Sequence, residues 1–185
     1  MVIFMINKTD KKIKWTLTSY VLNDAYTDFI LSRQAMRVTQ NTINFYYYTA
    51  GKFLLFLESQ SITSPKEIES RHVRVYLTGL INDKKSDWTV NDNARAIRTL
   101  LNFFYNEHYI DNPIKFDLPK VENKRLPVLT AEQVVSLLKK CDIRERAVIL
   151  LMVDTGLRRS EVIALNWGDI DIMSGLCRVV RGKGG

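Results

Sequence analysis

Residues 155–165 of this 185-residue chain read TGLRRSEVIAL, and this stretch predicts a junction between two helices. Gly156 follows the apolar run 147–153, and a glycine directly after such a run is typical of a helix C-terminus. Apolar residues then recur at helical spacing, which predicts a second, shorter helix over residues 159–166. The stretch therefore indicates a helical fold with a tight turn at its centre.

An arginine stands at this turn, three residues before an acid. Helical spacing aligns Arg158 with Glu161 and Leu165, so we expect Arg158 to point inward, and it aligns Arg159 with Ile163, toward solvent. A braced guanidinium is always charged and can hold two phosphate oxygens at once. From the spacing alone, a semi-buried ion pair without catalytic use is the alternative, and it is the more common one.

The residues on either side of this junction predict a small mixed segment. The stretch 130–133 is a capping box that opens a helix to Lys140, and residues 142–145 form a second box at the start of the helix that Gly156 ends. After the short helix, residues 169–181 alternate as strand, turn and strand. We therefore expect a hairpin to follow the helices.

Further upstream the chain has the period of amphipathic helices. Four windows carry apolar residues three and four apart, over about residues 19–34, 39–58, 64–80 and 88–107. Ser64-Pro65-Lys66-Glu67 reads as the capped start of the third helix. Prolines at 113, 119 and 127 then break the pattern and indicate a stiff linker. Four helices with short connections predict a compact bundle.

Charge and composition restrict the class of partner. The net charge of +7 and the pI near 9.4 favour a polyanion, with nucleic acid as the first candidate, although many solvated proteins carry such a charge without an acidic partner. Cys141 and Cys177 fit neither a disulfide framework nor a zinc site, and no apolar run is long enough for a membrane span. We expect a cytoplasmic protein without cofactor, metal or membrane contact.

Several motifs together resemble those of a known family. The pattern T-G-L-R-x-S-E-x-x-x-L, a two-stranded segment and then R-G-K-G at 181–184 is similar to the start of the catalytic domain of the tyrosine recombinases, the phage-type and Xer-type integrases. Residues 41–57, 89–104 and 110–113 resemble the helical core-binding domain of that family, and residues 126–132 resemble its interdomain junction. The resemblance extends from about residue 19 to residue 185.

The resemblance implies a mainly α fold in three parts. A four-helix, SAM-like core-binding domain is expected over residues 15–118, followed by a linker over 119–128. Residues 129–185 are then an incomplete α/β catalytic domain that ends in a short β-hairpin segment. Strands before residue 110 would contradict this expectation.

The resemblance also implies roles for particular residues. Arg158 matches the first catalytic arginine of the family, which binds the scissile phosphate, and Glu161 would brace it. Lys183 matches the hairpin lysine that protonates the leaving 5′ oxygen, although a solvated turn residue is the ordinary interpretation of Lys183 taken by itself.

The remaining active-site residues of the family have no match. His72 and His108 are the two histidines, and neither is followed three residues later by arginine, as the H-x-x-R motif requires. The last tyrosine is Tyr109, so no tyrosine follows Arg158 to form the 3′-phosphotyrosyl intermediate of the full-length family. We expect a recombinase-like chain that is unable to cleave DNA alone.

Contacts with double-stranded DNA are expected from both halves. Thr42, Asn91, Arg95 and Arg98 are candidates for a major groove, with a solvated helix face as the alternative for each. Lys84, Lys85, Lys124 and Arg125 are the stronger candidates, for phosphate contacts. The family implies a homo-oligomer assembled on DNA. A second hypothesis is a non-catalytic helical module that regulates an intact recombinase.

Overall fold

The computed structural model describes residues 17–122 and 127–179. It contains seven α-helices and one two-stranded antiparallel sheet in these ranges, with two short 3-10 turns. The chain divides into two compact units, Met1–Asn123 and Lys124–Gly185. The division falls inside the linker predicted from the prolines, whereas the predicted limits at residues 118 and 129 stay a prediction.

The first unit is built from four helices. Their bounds are α1 Tyr20–Ala35, α2 Gln40–Ser59, α3 Ser70–Asn82 and α4 Asp87–Asn106. Hydroxyl groups of Ser19, Thr39 and Ser86 cap α1, α2 and α4, because each accepts a hydrogen bond from the backbone N–H three residues later. The four predicted helices are confirmed, and no strand lies among the described residues before 110.

The start of the third helix differs from the prediction. Ser64 and Pro65 open a 3-10 turn, Pro65–Glu67, and α3 begins only at Ser70. The Glu67 carboxylate accepts hydrogen bonds from the N–H groups of Thr63 and Ser64 at 2.8 and 3.0 Å, which lowers its pKa and closes the turn on itself. Ile68 then adopts an extended backbone conformation and is buried, so the first turn cannot continue into the helix.

The ends of these helices share an unusual backbone feature. Each helix is followed by a non-glycine residue in the left-handed region, namely Arg37, Ser61, Lys84 and His108, with φ between 54° and 61°. After α2, α3 and α4 the next N–H returns to a carbonyl five residues back, as in a Schellman motif. The left-handed residue therefore reverses the chain at the end of each helix.

One hydrophobic core holds the first unit together. Phe29, Phe53 and Phe104 are the largest fully buried side chains, and they come from α1, α2 and α4. Phe29 meets the ring of Phe103 edge-on at a centroid distance of 5.5 Å. The Tyr26 hydroxyl donates a 2.6 Å hydrogen bond to the Tyr47 carbonyl oxygen, and burial raises the pKa of Tyr26 above its ordinary value. The core thus joins all the amphipathic faces that the sequence pattern indicates.

The described part of the second unit consists of three helices and a short hairpin. It contains α5 Ala131–Leu138, α6 Ile143–Thr155 and α7 Arg159–Ala164, followed by β1 Ile170–Asp171 paired antiparallel with β2 Leu176–Cys177. The predicted capping boxes at Thr130 and Asp142 are both formed, and Gly156 ends α6 with a φ of 67°. The hairpin is confirmed, although its described strands are two residues long and therefore shorter than predicted.

Large apolar side chains of the second unit remain exposed. None of the residues described between 127 and 179 is buried, and Ile143, Trp167 and Met173 are 87%, 85% and 96% exposed. Even α6, which carries the apolar run 147–153, has Val148, Leu150 and Val153 at the surface. The unit therefore has capped helices without the enclosed core that stabilises the first unit.

We expect the two units to differ in cooperativity. Residues 124–185 expressed alone should unfold without a sharp transition, because little apolar surface is removed from water in this unit, whereas residues 1–123 should melt cooperatively. Circular dichroism at 222 nm against temperature, with a check of monomer state by sedimentation, measures both. A sharp melt of monomeric 124–185 would contradict this expectation.

We also expect the core to be sensitive to one ring. Phe53→Ala should lower the free energy of unfolding by about 3–5 kcal/mol, because it removes a fully buried ring and leaves a cavity. Phe45→Ala on the same helix is the matched control, since Phe45 is 37% exposed and should lose less than half as much. Urea unfolding of residues 1–123 gives both values, and equal losses would count against the proposed importance of the core.

Candidate phosphate and DNA contact sites

The junction of α6 and α7 places one arginine in a fixed position. Arg158 is the N-cap residue of α7, with an extended backbone, and its N–H donates a 2.7 Å hydrogen bond to Glu161 Oε2. The Arg158 guanidinium donates through Nη1 to the other carboxylate oxygen, Oε1, at 2.9 Å. Glu161 therefore caps the helix and braces the arginine with the same carboxylate.

The exposure of the pair corrects one prediction. The Arg158 side chain is 65% exposed and the Glu161 side chain is 9% exposed, so the arginine points outward and the acid lies against the protein. The prediction was wrong because Arg158 precedes the first helical residue, and helical spacing does not describe the direction of an N-cap side chain. Arg159 is exposed, as expected.

The electrostatics of the pair favour an ionised Glu161 carboxylate. The backbone N–H of Arg158 is the largest cause that lowers the pKa of Glu161, and the Arg158 side chain lowers it further. Of the five N–H donors of the guanidinium, one is used by Glu161 among the described contacts. The side chain is 65% exposed, and the planar donors of a guanidinium suit the oxygens of a phosphate.

Lys183, Lys124 and Arg125 lie outside the described residues. Lys183 follows Arg158 by 25 positions along the chain, and its role stays a prediction.

The candidates on α2 and at the α3–α4 connection lie at the surface of the first unit. Thr42 is half-buried, and its hydroxyl is 2.9 Å from that of Thr39. Lys84 and Lys85 are both exposed in the turn that follows α3. The two lysines are therefore accessible to a phosphate backbone.

The three candidates on α4 have different surroundings. Arg95 is exposed and has no side-chain hydrogen bond or ion pair with any described residue. Asn91 donates a 2.7 Å hydrogen bond to the Pro119 carbonyl oxygen, and Arg98 donates a 2.6 Å bond to the carbonyl oxygen of Phe116. Two of the three predicted groove residues thus contact the segment 114–119, which we call the strap.

The strap contacts were missed at the sequence level. A signal for them exists in the alternation of Ile114, Phe116 and Leu118 with polar residues, which is the period of an extended chain with one side against the protein. All three are half-buried and pack against the core of the first unit.

Within residues 17–122 and 127–179, no group of three or more His, Cys, Asp or Glu side chains is placed to hold a metal ion. No helix in these ranges is both long and apolar enough to cross a membrane.

Comparison with known families identifies both units. Residues 26–115 match the N-terminal SAM-like domain of phage integrases, and residues 127–185 match the phage integrase family. The first match lies within the first unit, and the second match lies within the second unit.

Known recombinases are similar to this chain over most of its length. Tyrosine recombinase XerD of Staphylococcus haemolyticus (strain JCSC1435) is 28% identical over 169 residues, which cover 87% of this chain and 56% of the relative. Tyrosine recombinase XerC of Chlamydia caviae is 29% identical over 191 residues, covering 86% of this chain and 59% of the relative. The chain thus spans little more than half the length of these curated relatives.

A solved structure shares the fold. The Tn1549 transposon integrase in complex with circular intermediate DNA superposes with a TM-score of 0.59 at 19% identity, covering 80% of this chain and 50% of the integrase. The two family matches show that the chain belongs to the phage integrase, or tyrosine recombinase, family, with an N-terminal SAM-like domain followed by part of the catalytic domain.

Proposed function

We propose that this chain binds double-stranded DNA through both units and holds a backbone phosphate with Arg158. The observation that carries the proposal is the exposed Arg158 guanidinium, which donates a 2.9 Å hydrogen bond to Glu161 while the Arg158 backbone N–H donates a 2.7 Å bond to the same carboxylate. Such bracing reduces the entropy lost when the arginine binds a phosphate, because the side chain is already oriented. The net charge of +7 adds long-range attraction to the duplex.

The proposed chemistry follows the family. In the complete active site Arg158 would stabilise the charge that develops on the scissile phosphate, and Lys183 would protonate the leaving 5′ oxygen. A lysine suits the second task because its ammonium can release a proton, whereas a guanidinium cannot. Glu161 would keep Arg158 in place without touching the DNA.

The helical unit supplies the rest of the proposed DNA surface. Lys84, Lys85 and Arg95 are exposed basic residues, and Thr42 lies near the start of α2. Lys124 and Arg125 belong to the proposed set by their charge and their place in the linker. The proposed assembly on DNA is a homo-oligomer, as in the family.

We further propose that these 185 residues bind DNA without cleaving it. No tyrosine follows Arg158, and Tyr109, the last in the chain, donates a 3.1 Å hydrogen bond to Asp28 in the first unit. Burial and then the hydrogen bond to Asp28 raise the pKa of Tyr109, so its phenolate is less available than that of an ordinary tyrosine.

A second candidate function is supported by the exposed apolar surface of the second unit. Side chains such as Ile143, Ile163 and Trp167 are suited to contact another polypeptide, as expected for a module that regulates an intact recombinase. Failure of the chain to bind duplex DNA, together with its capture by a purified intact recombinase, would favour this candidate over the first.

Binding of DNA should depend on salt and on Arg158. Fluorescence anisotropy with a labelled duplex should show affinity that falls steeply as salt rises, because phosphate contacts release counterions. Arg158→Ala should weaken binding several-fold and lower the slope of log affinity against log salt by about 1. Arg159→Ala removes the same charge from a neighbouring exposed site and should have a smaller effect; equal effects would argue against a phosphate site at Arg158.

The chain should form no covalent adduct with DNA. Incubation with a nicked, end-labelled suicide duplex, followed by denaturing electrophoresis, should leave all label on free DNA, since no attacking tyrosine is available. A labelled strand that stays attached to the chain would refute this expectation. Tyr109→Phe would then show whether Tyr109 had been recruited despite its hydrogen bond to Asp28.

A further inference from the structure

The strap is an extended segment held without a main-chain partner. Its residues alternate between half-buried Ile114, Phe116 and Leu118 and exposed Lys115 and Asp117. None of its backbone groups forms a hydrogen bond with the backbone of another described residue. Two of its carbonyl oxygens instead accept hydrogen bonds from side chains of α4, which takes the place of pairing with a neighbouring strand.

Arg98 contacts the strap in two ways. It donates a 2.6 Å hydrogen bond to the Phe116 carbonyl oxygen, and its guanidinium carbon lies 5.3 Å from the centroid of the Phe116 ring. A planar cation can satisfy both contacts at once, whereas an ammonium cannot stack in the same way. Arg98 is half-buried in this position.

Asn91 is the second residue of α4 that holds the strap. The distance between the two donors on α4 matches the distance between their two acceptors on the strap. Asn91 precedes Arg98 by seven residues, or two turns of α4, so both side chains lie on one face about 10.5 Å apart along the helix axis. Their acceptors, on Phe116 and Pro119, are three residues apart, which is about 10 Å in an extended chain. The later acceptor pairs with the earlier donor, so the strap runs antiparallel to α4.

We propose that Asn91 and Arg98 are positioning residues that clamp the strap to α4 and thereby fix the path by which the chain leaves the helical unit. Two attachment points define a direction, which one point could not do. The same clamp withdraws both side chains from the DNA surface and leaves Arg95 as the accessible member of this row on α4. This last consequence rests on the proposed DNA binding, but the clamp itself does not.

Limited proteolysis of the full chain without DNA tests the clamp. Chymotrypsin cleavage between Phe116 and Asp117, followed by mass spectrometry, reports how often the strap detaches. Asn91→Asp keeps the shape of the side chain but replaces the donor with an acceptor, and it should speed this cleavage several-fold. Arg98→Ala should do the same, while Arg98→Lys should restore part of the protection because it keeps one donor.

The controls separate the clamp from general loss of stability. Arg95→Ala removes a charge from the same face without touching the strap and should cleave at the wild-type rate. Faster cleavage of Arg98→Ala at core sites such as Phe53 would indicate a general loss of stability. In that case the cleavage rates of Asn91→Asp and Arg98→Lys decide between the outcomes. Wild-type cleavage rates at Phe116 in Asn91→Asp and in the Arg98 variants would overturn the proposal.

Addition of duplex DNA tests the second part independently. If Asn91 and Arg98 stay on the strap, saturating duplex should leave cleavage at Phe116 unchanged or slower. Faster cleavage would show that DNA takes these side chains away from the strap and would overturn their exclusion from the DNA surface. If the chain binds no duplex, the proposed function fails while the measurement without DNA still decides on the clamp.

Discussion

The burial of three phenylalanine rings between four helices is the constraint on which the described structure of the first unit depends. Phe29, Phe53 and Phe104 come from α1, α2 and α4, so no two of these three helices can form the core without the third. The exposed candidates for DNA contact, including Lys84, Lys85 and Arg95, are held by helices that this core keeps together. The burial of apolar surface thus determines where these exposed basic residues lie.

The second unit uses a different source of order. Its helices begin at side-chain caps, and the cap of α7 is also the bracing contact of the proposed phosphate site. One carboxylate, that of Glu161, thereby satisfies a helix terminus and orients a guanidinium. The local hydrogen bonds preserve this small arrangement although the side chains around it are largely exposed.

Much of this architecture is accessible from the sequence because its signals are local. The capping boxes at Thr130 and Asp142 depend on residues three positions apart, and the structure contains both of them. The failures involve contacts or geometry that spacing does not encode. Ser64 and Pro65 predict the start of an α-helix, but the extended and buried Ile68 interrupts it. Helical spacing predicts that Arg158 points inward, but Arg158 is an N-cap residue to which that spacing does not apply. The Asn91 and Arg98 contacts join residues 28 and 18 positions apart, beyond the reach of any local pattern.

The left-handed residues after the four helices have a consequence for how this unit can change over time. Arg37, Ser61, Lys84 and His108 each occupy a backbone region where an L-amino acid is strained by about 1–2 kcal/mol relative to glycine. These sites are spread around the bundle and lie outside its core, so each can become glycine without repacking any helix. The fold therefore holds a stability reserve at four separate positions, which a lineage can draw upon to tolerate damaging substitutions elsewhere. At Arg37 and Lys84 the exchange would also remove a basic side chain. At these two positions a gain in stability is therefore accompanied by a loss of positive surface charge.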